Sequence, residues 1–126
     1  MAKQKIHTSG APAALGPYSQ AIRAGQTVYL SGQIGLEPAT GNLRETVEAQ
    51  IDQAFQNLRA VAEAAGASLD DAVKLTLFLT DLAHFAKVNE AMARYFKEPY
   101  PARSTVQVSA LPKGGGFEVE AIIVLP

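Results

Sequence analysis

An arginine follows two prolines near the end of the chain, within the stretch Glu98–Val108. Each proline fixes its own φ angle and biases the residue before it toward extended geometry, so a helical pattern ends there and a strand follows. Arg103 therefore stands at the entrance of a stiff strand. Its planar guanidinium suits a carboxylate held by two parallel hydrogen bonds. A surface salt bridge is the commoner use of such an arginine, and the local sequence alone favours it.

Two carboxylates interrupt the most apolar stretch of the chain, Phe117–Pro126. Glu118 and Glu120 alternate along a strand pattern and so share a face with Ile122 and Val124. Carboxylates on an apolar face are costly unless they are paired, hydrogen-bonded or at a wet edge, and edge exposure is the ordinary explanation. Glu118 is nearer to the preceding glycine turn, so we expect it to be the one that lines a cleft.

Four further residues could contribute to a small-molecule site. Tyr18 lies at a loop-to-strand junction, where its ring either lines the rim of a cleft or packs as an ordinary strand aromatic. Gly32, directly after Ser31, either lets another group approach the backbone closely or marks a bulge. Asn89 lies four residues after Phe85, on or beside the buried face of a helix. A buried amide needs partners, and a structural bridge to a loop is favoured over a ligand contact.

Composition narrows the classes of function. The chain has no cysteine, which excludes disulfides, cysteine zinc sites and thiol nucleophiles, and its two histidines have no ligand-like spacing. Its net charge of −1, with scattered basic residues, gives little support for nucleic-acid binding. No signal-peptide or membrane-spanning pattern is found, so a cytoplasmic protein is expected. What remains is a metal-free, cofactor-free set of groups suited to binding a small carboxylate and activating one water.

The elements that must position these groups can be read from periodicity. Apolar residues recur at helical spacing over 45–65 and 81–96, which predicts two helices. Asp81 is the expected N-cap of the second helix. The residues expected to face inward in that helix are Phe85, Val88, Met92 and Phe96. Alternating patterns predict strands over 27–33 and 72–80, which a helical crossover makes parallel, and over 103–108 and 117–126. The first of the two helices acts as scaffold.

The predicted order is β-β-β-α-β-α-β-β in one α+β domain spanning residues 1–126. Two helices can cover only one face of a mixed sheet, so the apolar side chains of the other face require burial, most simply by oligomerisation. A hairpin of 103–108 with 118–124 would place Arg103 about 17 Å from Glu118 along the strands. The two residues would then meet only across a subunit boundary.

Short motifs spread over nearly the whole chain resemble, in order and spacing, the Rid (YjgF-like) family and its RidA branch of enamine and imine deaminases. They are Gly16–Ala21, Ser31–Gln33, Val73–Lys74, Leu79–Leu82, Phe85–Glu90, Pro101–Ser104, Leu111–Lys113 and Glu118–Ala121. The resemblance implies a chorismate-mutase-like fold, a homotrimer with sites between subunits, and hydrolysis of 2-iminopropanoate and 2-iminobutanoate, or their enamine tautomers, to 2-oxo acids and ammonia. Such imines are released by pyridoxal-phosphate-dependent serine and threonine dehydratases.

The resemblance also implies roles for individual residues. Arg103 would hold the substrate carboxylate and Glu118 would position the attacking water. Tyr18 and Asn89 would line the cleft. Main-chain groups near Gly32, with Ser31 beside it, and near Thr105 would contact the reacting nitrogen. Close relatives often carry cysteine at the position of Thr105, which matters only if that contact is made by the side chain.

Three other functions remain open at this stage. The first is a non-catalytic trimer whose clefts hold a small carboxylate as a sensor. The second is the RNA-directed activity, ribonuclease or translation inhibitor, that is described for some members of the family, which the scattered charge disfavours. The third is a chaperone-like role, for which the sequence offers no specific sign.

Overall fold

The computed structural model describes residues 2–126, which form one six-stranded sheet and two α-helices. The element order confirms the predicted β-β-β-α-β-α-β-β, with a short first strand that the sequence pattern had not located. The elements are β1 (Gln4–Ile6), β2 (Ala21–Ala24), β3 (Thr27–Ile34), α1 (Val47–Ala64), β4 (Ala72–Leu79), α2 (Phe85–Tyr95), β5 (Ala102–Gln107) and β6 (Phe117–Val124).

The strands lie side by side in the order β1-β2-β3-β6-β4-β5. All neighbours are antiparallel except β4 and β5, which the α2 crossover connects in parallel. The expected hairpin of β5 with β6 is therefore wrong, because β4 lies between them and pairs with both. The prediction that β3 and β4 run parallel is confirmed, with β6 antiparallel between them.

Helix α1 contributes more buried residues to the core than α2 does. Thr46 caps it by accepting a hydrogen bond from the Ala49 amide at 3.1 Å, and Gly66 follows its end in a left-handed conformation. Its buried face confirms the predicted stripe and consists of Ile51, Ala54, Phe55, Leu58, Val61 and Ala62.

Helix α2 follows a 3₁₀ turn, and Asp81 caps that turn rather than the α-helix itself. Val88, Met92 and Phe96 are buried as predicted, whereas Phe85 is 38% exposed and Asn89 is also exposed. The inward placement of Phe85 is therefore wrong, whereas Asn89 lies beside the buried face, one of the two positions that its spacing from Phe85 allows. Helix α2 lies beside β5, the strand at the edge of the sheet, so the sheet does not cover the side of α2 that carries Phe85.

The face of the sheet opposite the helices is apolar and uncovered. Val73 was predicted to face the core with Leu75, but a bulge between Ala72 and Lys74 turns it outward, and it is 46% exposed. Other large apolar side chains exposed on this open face are Tyr29, Val106 and Val124. Within residues 2–126, no helix combines the length and apolarity needed to cross a membrane.

A buried asparagine fastens α1 to the end of β3. Asn57 is fully buried, and its side-chain amide donates to the carbonyl oxygens of Ile34 and Leu36 at 3.3 and 2.9 Å. At the same end of β3, a Cβ on Gly35 would lie 2.4 Å from the Cα of Gln50, so only glycine permits this close helix–strand contact.

We expect Asn57→Ala to lower the free energy of unfolding by about 1–3 kcal/mol, because the buried Leu36 carbonyl loses the Asn57 donor, whereas the Ile34 carbonyl keeps its bond from the Leu36 amide at 2.8 Å. Urea denaturation measures this loss. Gln56→Ala is the control, since Gln56 is exposed on the same turn of α1 and its replacement should change stability by less than about 0.5 kcal/mol. Equal effects of the two substitutions would contradict the fastening role of Asn57.

Candidate functional site

A bulge in β3 creates the most unusual contact of the open face. The register of β3 with β6 shifts by one residue between Leu30 and Gln33. At the bulge, a Cβ on Gly32 would lie 2.5 Å from Oε2 of Glu118, so the carboxylate rests against the glycine backbone and any larger residue there would displace it. Both interpretations of Gly32 from the sequence, a bulge and a close approach, are thus realised together.

The Glu118 side chain stands between apolar neighbours. It is paired in the sheet with Ile34 on one side and Phe78 on the other, and it is half-buried. Burial, with a smaller contribution from the nearby charge of Glu120, raises the pKa of Glu118 above its ordinary value. None of the ion pairs among residues 2–126 uses Glu118. Its carboxylate is therefore more basic than that of an ordinary glutamate.

A cleft of about 800 Å³ opens in front of this carboxylate and gathers four of the predicted site residues: Tyr18, Ser31, Gly32 and Glu118. Glu120 also borders it, but its side chain is exposed, in keeping with the choice of Glu118 as the residue that lines the cleft. Tyr18 is 55% exposed and forms part of the wall, so its ring is a rim residue and not a core aromatic. The Ser31 hydroxyl donates to the carbonyl oxygen of Ser19 at 2.6 Å.

Arg103 and Asn89 border a second, smaller cavity of about 300 Å³ between α2 and the start of β5. The guanidinium carbon of Arg103 lies 5.2 Å from the centre of the Phe85 ring, within cation–π range. No carboxylate in the described part of the chain forms an ion pair with Arg103. The salt bridge that the local sequence favoured is thus not made, and the fork of the guanidinium is free for an external carboxylate.

Thr105 follows Arg103 on the same face of β5 and pairs with Leu77. Its hydroxyl oxygen is buried and has no hydrogen-bond partner among residues 2–126. Buried polar atoms without a hydrogen-bond partner are uncommon in folded proteins.

The two groups of residues lie on opposite faces of the sheet. Paired strand residues point to the same side, so Arg103 shares the helix-covered face with Leu75, whereas Glu118 shares the open face with Phe78. Within one chain the structure brings Tyr18, Ser31, Gly32 and Glu118 together, and brings Asn89 together with Arg103. It does not bring the first group to the second.

Two contributors to the site were not identified from the sequence. Phe85 was assigned to the core, and only the arrangement of α2 against β5 reveals it as the support of Arg103. Gln20 is one polar residue in a strand pattern, and nothing in the sequence marks it as functional. In the structure it is buried at the edge of the larger cleft. No group of three or more His, Asp or Glu side chains within residues 2–126 is arranged to hold a metal ion.

Comparisons with known proteins agree on one family. The sequence model of the family described as endoribonuclease L-PSP matches residues 8–125. Protein DfrA of Myxococcus xanthus is 50% identical over 127 residues, covering 98% of this chain and 97% of its own. A 2-iminobutanoate/2-iminopropanoate deaminase of Dermatophagoides farinae is 48% identical, covering 98% of this chain and 97% of its own. The crystal structure of RidA from Psychrobacter sp. PAMC 21119 is 54% identical with a TM-score of 0.95, covering 97% of this chain and 99% of its own.

We expect Glu118→Gln to raise the melting temperature at neutral pH, because it removes an ionised group from a partly apolar site. A carboxyl whose folded pKa is raised contributes stability that is present below its unfolded pKa and is lost as the pH rises through the folded pKa. The advantage of the variant should therefore shrink as the pH falls toward 4.5, the ordinary glutamate value.

Thermal unfolding of wild type and variant across this pH range measures the difference. Glu120→Gln is the comparison variant: Glu120 is exposed and its charge makes the smaller contribution to the raised pKa of Glu118, so its gain in melting temperature should be the smaller of the two. A Glu118→Gln melting temperature equal to that of wild type at neutral pH would contradict the destabilising burial.

Proposed function

Because this chain belongs to the YjgF, or endoribonuclease L-PSP, family, and relatives nearly half identical to it are named as imine deaminases, we propose that it hydrolyses 2-imino acids to 2-oxo acids and ammonia. The expected substrates are 2-iminopropanoate and 2-iminobutanoate or their enamine tautomers. No cofactor is required for this reaction, since water is the only co-reactant.

The observation that carries the proposal is the environment of Glu118. A half-buried carboxylate with a raised pKa, held open to a cleft without an ionic partner, is a suitable general base at neutral pH. Gly32 supports this role because the missing Cβ leaves the carboxylate room to reach a water in the cleft.

Arg103 would bind the carboxylate that every 2-imino acid carries. Its unpaired guanidinium can accept that carboxylate through two parallel hydrogen bonds, and the Phe85 ring behind it limits its movement. Holding the substrate by this end fixes the imine carbon relative to the water and converts a bimolecular encounter into an oriented reaction.

The chemical steps then balance with one glutamate and one water. Glu118 takes a proton from water while the oxygen bonds to the imine carbon of the protonated imine. The protonated Glu118 returns that proton to the amino nitrogen of the resulting carbinolamine. The carbon–nitrogen bond breaks as the hydroxyl proton passes to Glu118, and a 2-oxo acid and ammonia leave. Proton transfer to ammonia restores the carboxylate.

The remaining residues would shape the site around these two groups. Tyr18 is part of the wall of the larger cleft, and Asn89 lines the smaller cavity together with Arg103. Main-chain groups at Ser31, Gly32 and Thr105 are the proposed contacts of the reacting nitrogen. The buried Thr105 hydroxyl leaves a side-chain contribution open at this position as well.

We propose that Arg103 and Glu118 meet across the contact between two copies of the chain, because they occupy opposite faces of one sheet. The uncovered apolar face supports this, since a second copy would bury Tyr29, Val73, Val106 and Val124. Each copy would present a different face to each of its two neighbours, so the contact is head-to-tail, and such contacts form a ring when the rotation between copies closes. A homotrimer is the expected ring.

The test of function couples a threonine dehydratase to this protein and follows 2-oxobutanoate above the uncatalysed rate. We expect Arg103→Met to lower kcat/KM about 100-fold, since it removes two charge-assisted hydrogen bonds of about 1.5 kcal/mol each. Arg94→Met is the control, because Arg94 is exposed on α2 and pairs only with Asp52 at 3.5 Å. No acceleration by wild type, together with saturable binding of 2-oxobutanoate, would instead favour a sensor.

A complementation experiment tests the shared site. Arg103→Met and Glu118→Gln should each be nearly inactive alone. When the two are co-expressed and purified through separate tags, only mixed rings remain, and about one in three contacts of a mixed trimeric ring pairs an intact Arg103 with an intact Glu118. We therefore expect activity to return to about a third of wild type. Mixed oligomers without activity would contradict a site formed between copies.

A further inference from the structure

One wall of the larger cleft is made by a segment without helix or strand. It lies between the end of β1 at Ile6 and the start of β2 at Ala21, and it contributes Pro12, Ala13, Leu15 and Tyr18 to the cleft. Packing cannot hold this wall, since Leu15 is 79% exposed and Tyr18 is more than half exposed. Something else must fix its distance from Glu118.

The side chain of Gln20 supplies that restraint. Gln20 is only 2% exposed, and both ends of its amide are used. Its Oε1 accepts from the Thr8 amide at 2.8 Å, while its Nε2 donates to the carbonyl oxygens of Thr8 at 3.1 Å, Ala11 at 3.4 Å and Pro12 at 2.8 Å. The side chain thus reaches back to the beginning of the wall and closes the segment into a loop.

The main chain of the same residue connects the wall to the floor of the cleft. The Ser31 amide donates to the Gln20 carbonyl at 3.0 Å, and the Ser31 hydroxyl donates to the neighbouring Ser19 carbonyl at 2.6 Å. Ser31 precedes Gly32, against which the Glu118 carboxylate rests. Both ends of the wall are therefore fixed through Gln20 and Ser19 to the bulge that positions Glu118.

We propose that Gln20 is a positioning residue: its buried amide holds the wall Pro12–Tyr18 at the distance from Glu118 that binding of the imine requires. The inference rests on the proposed function, because the imine is the ligand that the wall confines. It goes beyond that function by assigning the geometry of the cleft to a residue that takes no part in the proposed chemical steps.

Gln20→Glu tests this with almost no change of shape. The carboxylate still accepts from the Thr8 amide but can no longer donate, so it faces the carbonyl oxygens of Thr8, Ala11 and Pro12 with repulsion. Gln20→Met is a second variant that removes hydrogen bonding without adding charge. Gln26→Glu makes the same chemical change in an exposed turn, where Oε1 accepts from Arg23 and a carboxylate can do the same.

Two measurements on the assembled protein separate positioning from general stability. Hydrogen exchange should accelerate in peptides covering 8–18 and stay unchanged in α1 for both Gln20 variants. At a temperature well below unfolding, KM for 2-iminobutanoate should rise about tenfold with a smaller change in kcat, since displacing a wall by about 1 Å weakens oriented binding. Gln26→Glu should match wild type in both measurements.

The failures are distinguishable. Unchanged exchange in 8–18, or faster exchange with KM within twofold of wild type, would overturn the role of Gln20 and leave the deaminase intact. A wild type without hydrolysis would overturn the proposed function. In that case, the role of Gln20 is tested by measuring 2-oxobutanoate binding by calorimetry. Weaker binding by Gln20→Glu than by wild type would support the positioning role. Equal binding by the two proteins, or no binding by wild type, would overturn it.

Discussion

The two helices cover only one face of the six-stranded sheet, and this one-sided coverage governs the rest of the molecule. The covered face holds the core, in which α1 contributes a continuous apolar stripe and Asn57 satisfies the carbonyl groups at the end of β3. The open face retains large apolar side chains such as Tyr29 and Val124. The proposed contact between copies rests on this open apolar face, on which Glu118 also lies.

The candidate site holds two charged side chains that form no ion pair within the described chain, and burial disfavours the ionised form of one of them, Glu118. Glu118 is held between apolar neighbours without an ionic partner, and Arg103 rests on the Phe85 ring without a carboxylate. Isolated charges are disfavoured in such surroundings, so they persist where a ligand or a reaction uses them. The β3 bulge serves the same end, because it interrupts regular pairing to bring Gly32 beneath a carboxylate.

The charges of the cleft also bear on the family's description as an endoribonuclease. Among the described residues that line the cleft, Glu118 and Glu120 are acidic and Lys113 is the one basic side chain. Together with a net charge of −1, this balance repels a phosphodiester backbone, whose binding depends on neutralising phosphates with basic residues. The substrate proposed above carries a single carboxylate, which Arg103 would neutralise.

The sequence by itself determined the local structure and the family. The apolar stripe of α1 and the alternating pattern of β6 arise because one face of each element is buried. Such periodicity can be recognised in the local sequence alone. Only the tertiary structure decided that β4 separates β5 from β6, that Val73 turns outward, and that Phe85 supports Arg103. Strand order, bulges and the reach of a helix past a sheet edge depend on contacts between residues far apart in the chain. Local periodicity carries no information about such contacts.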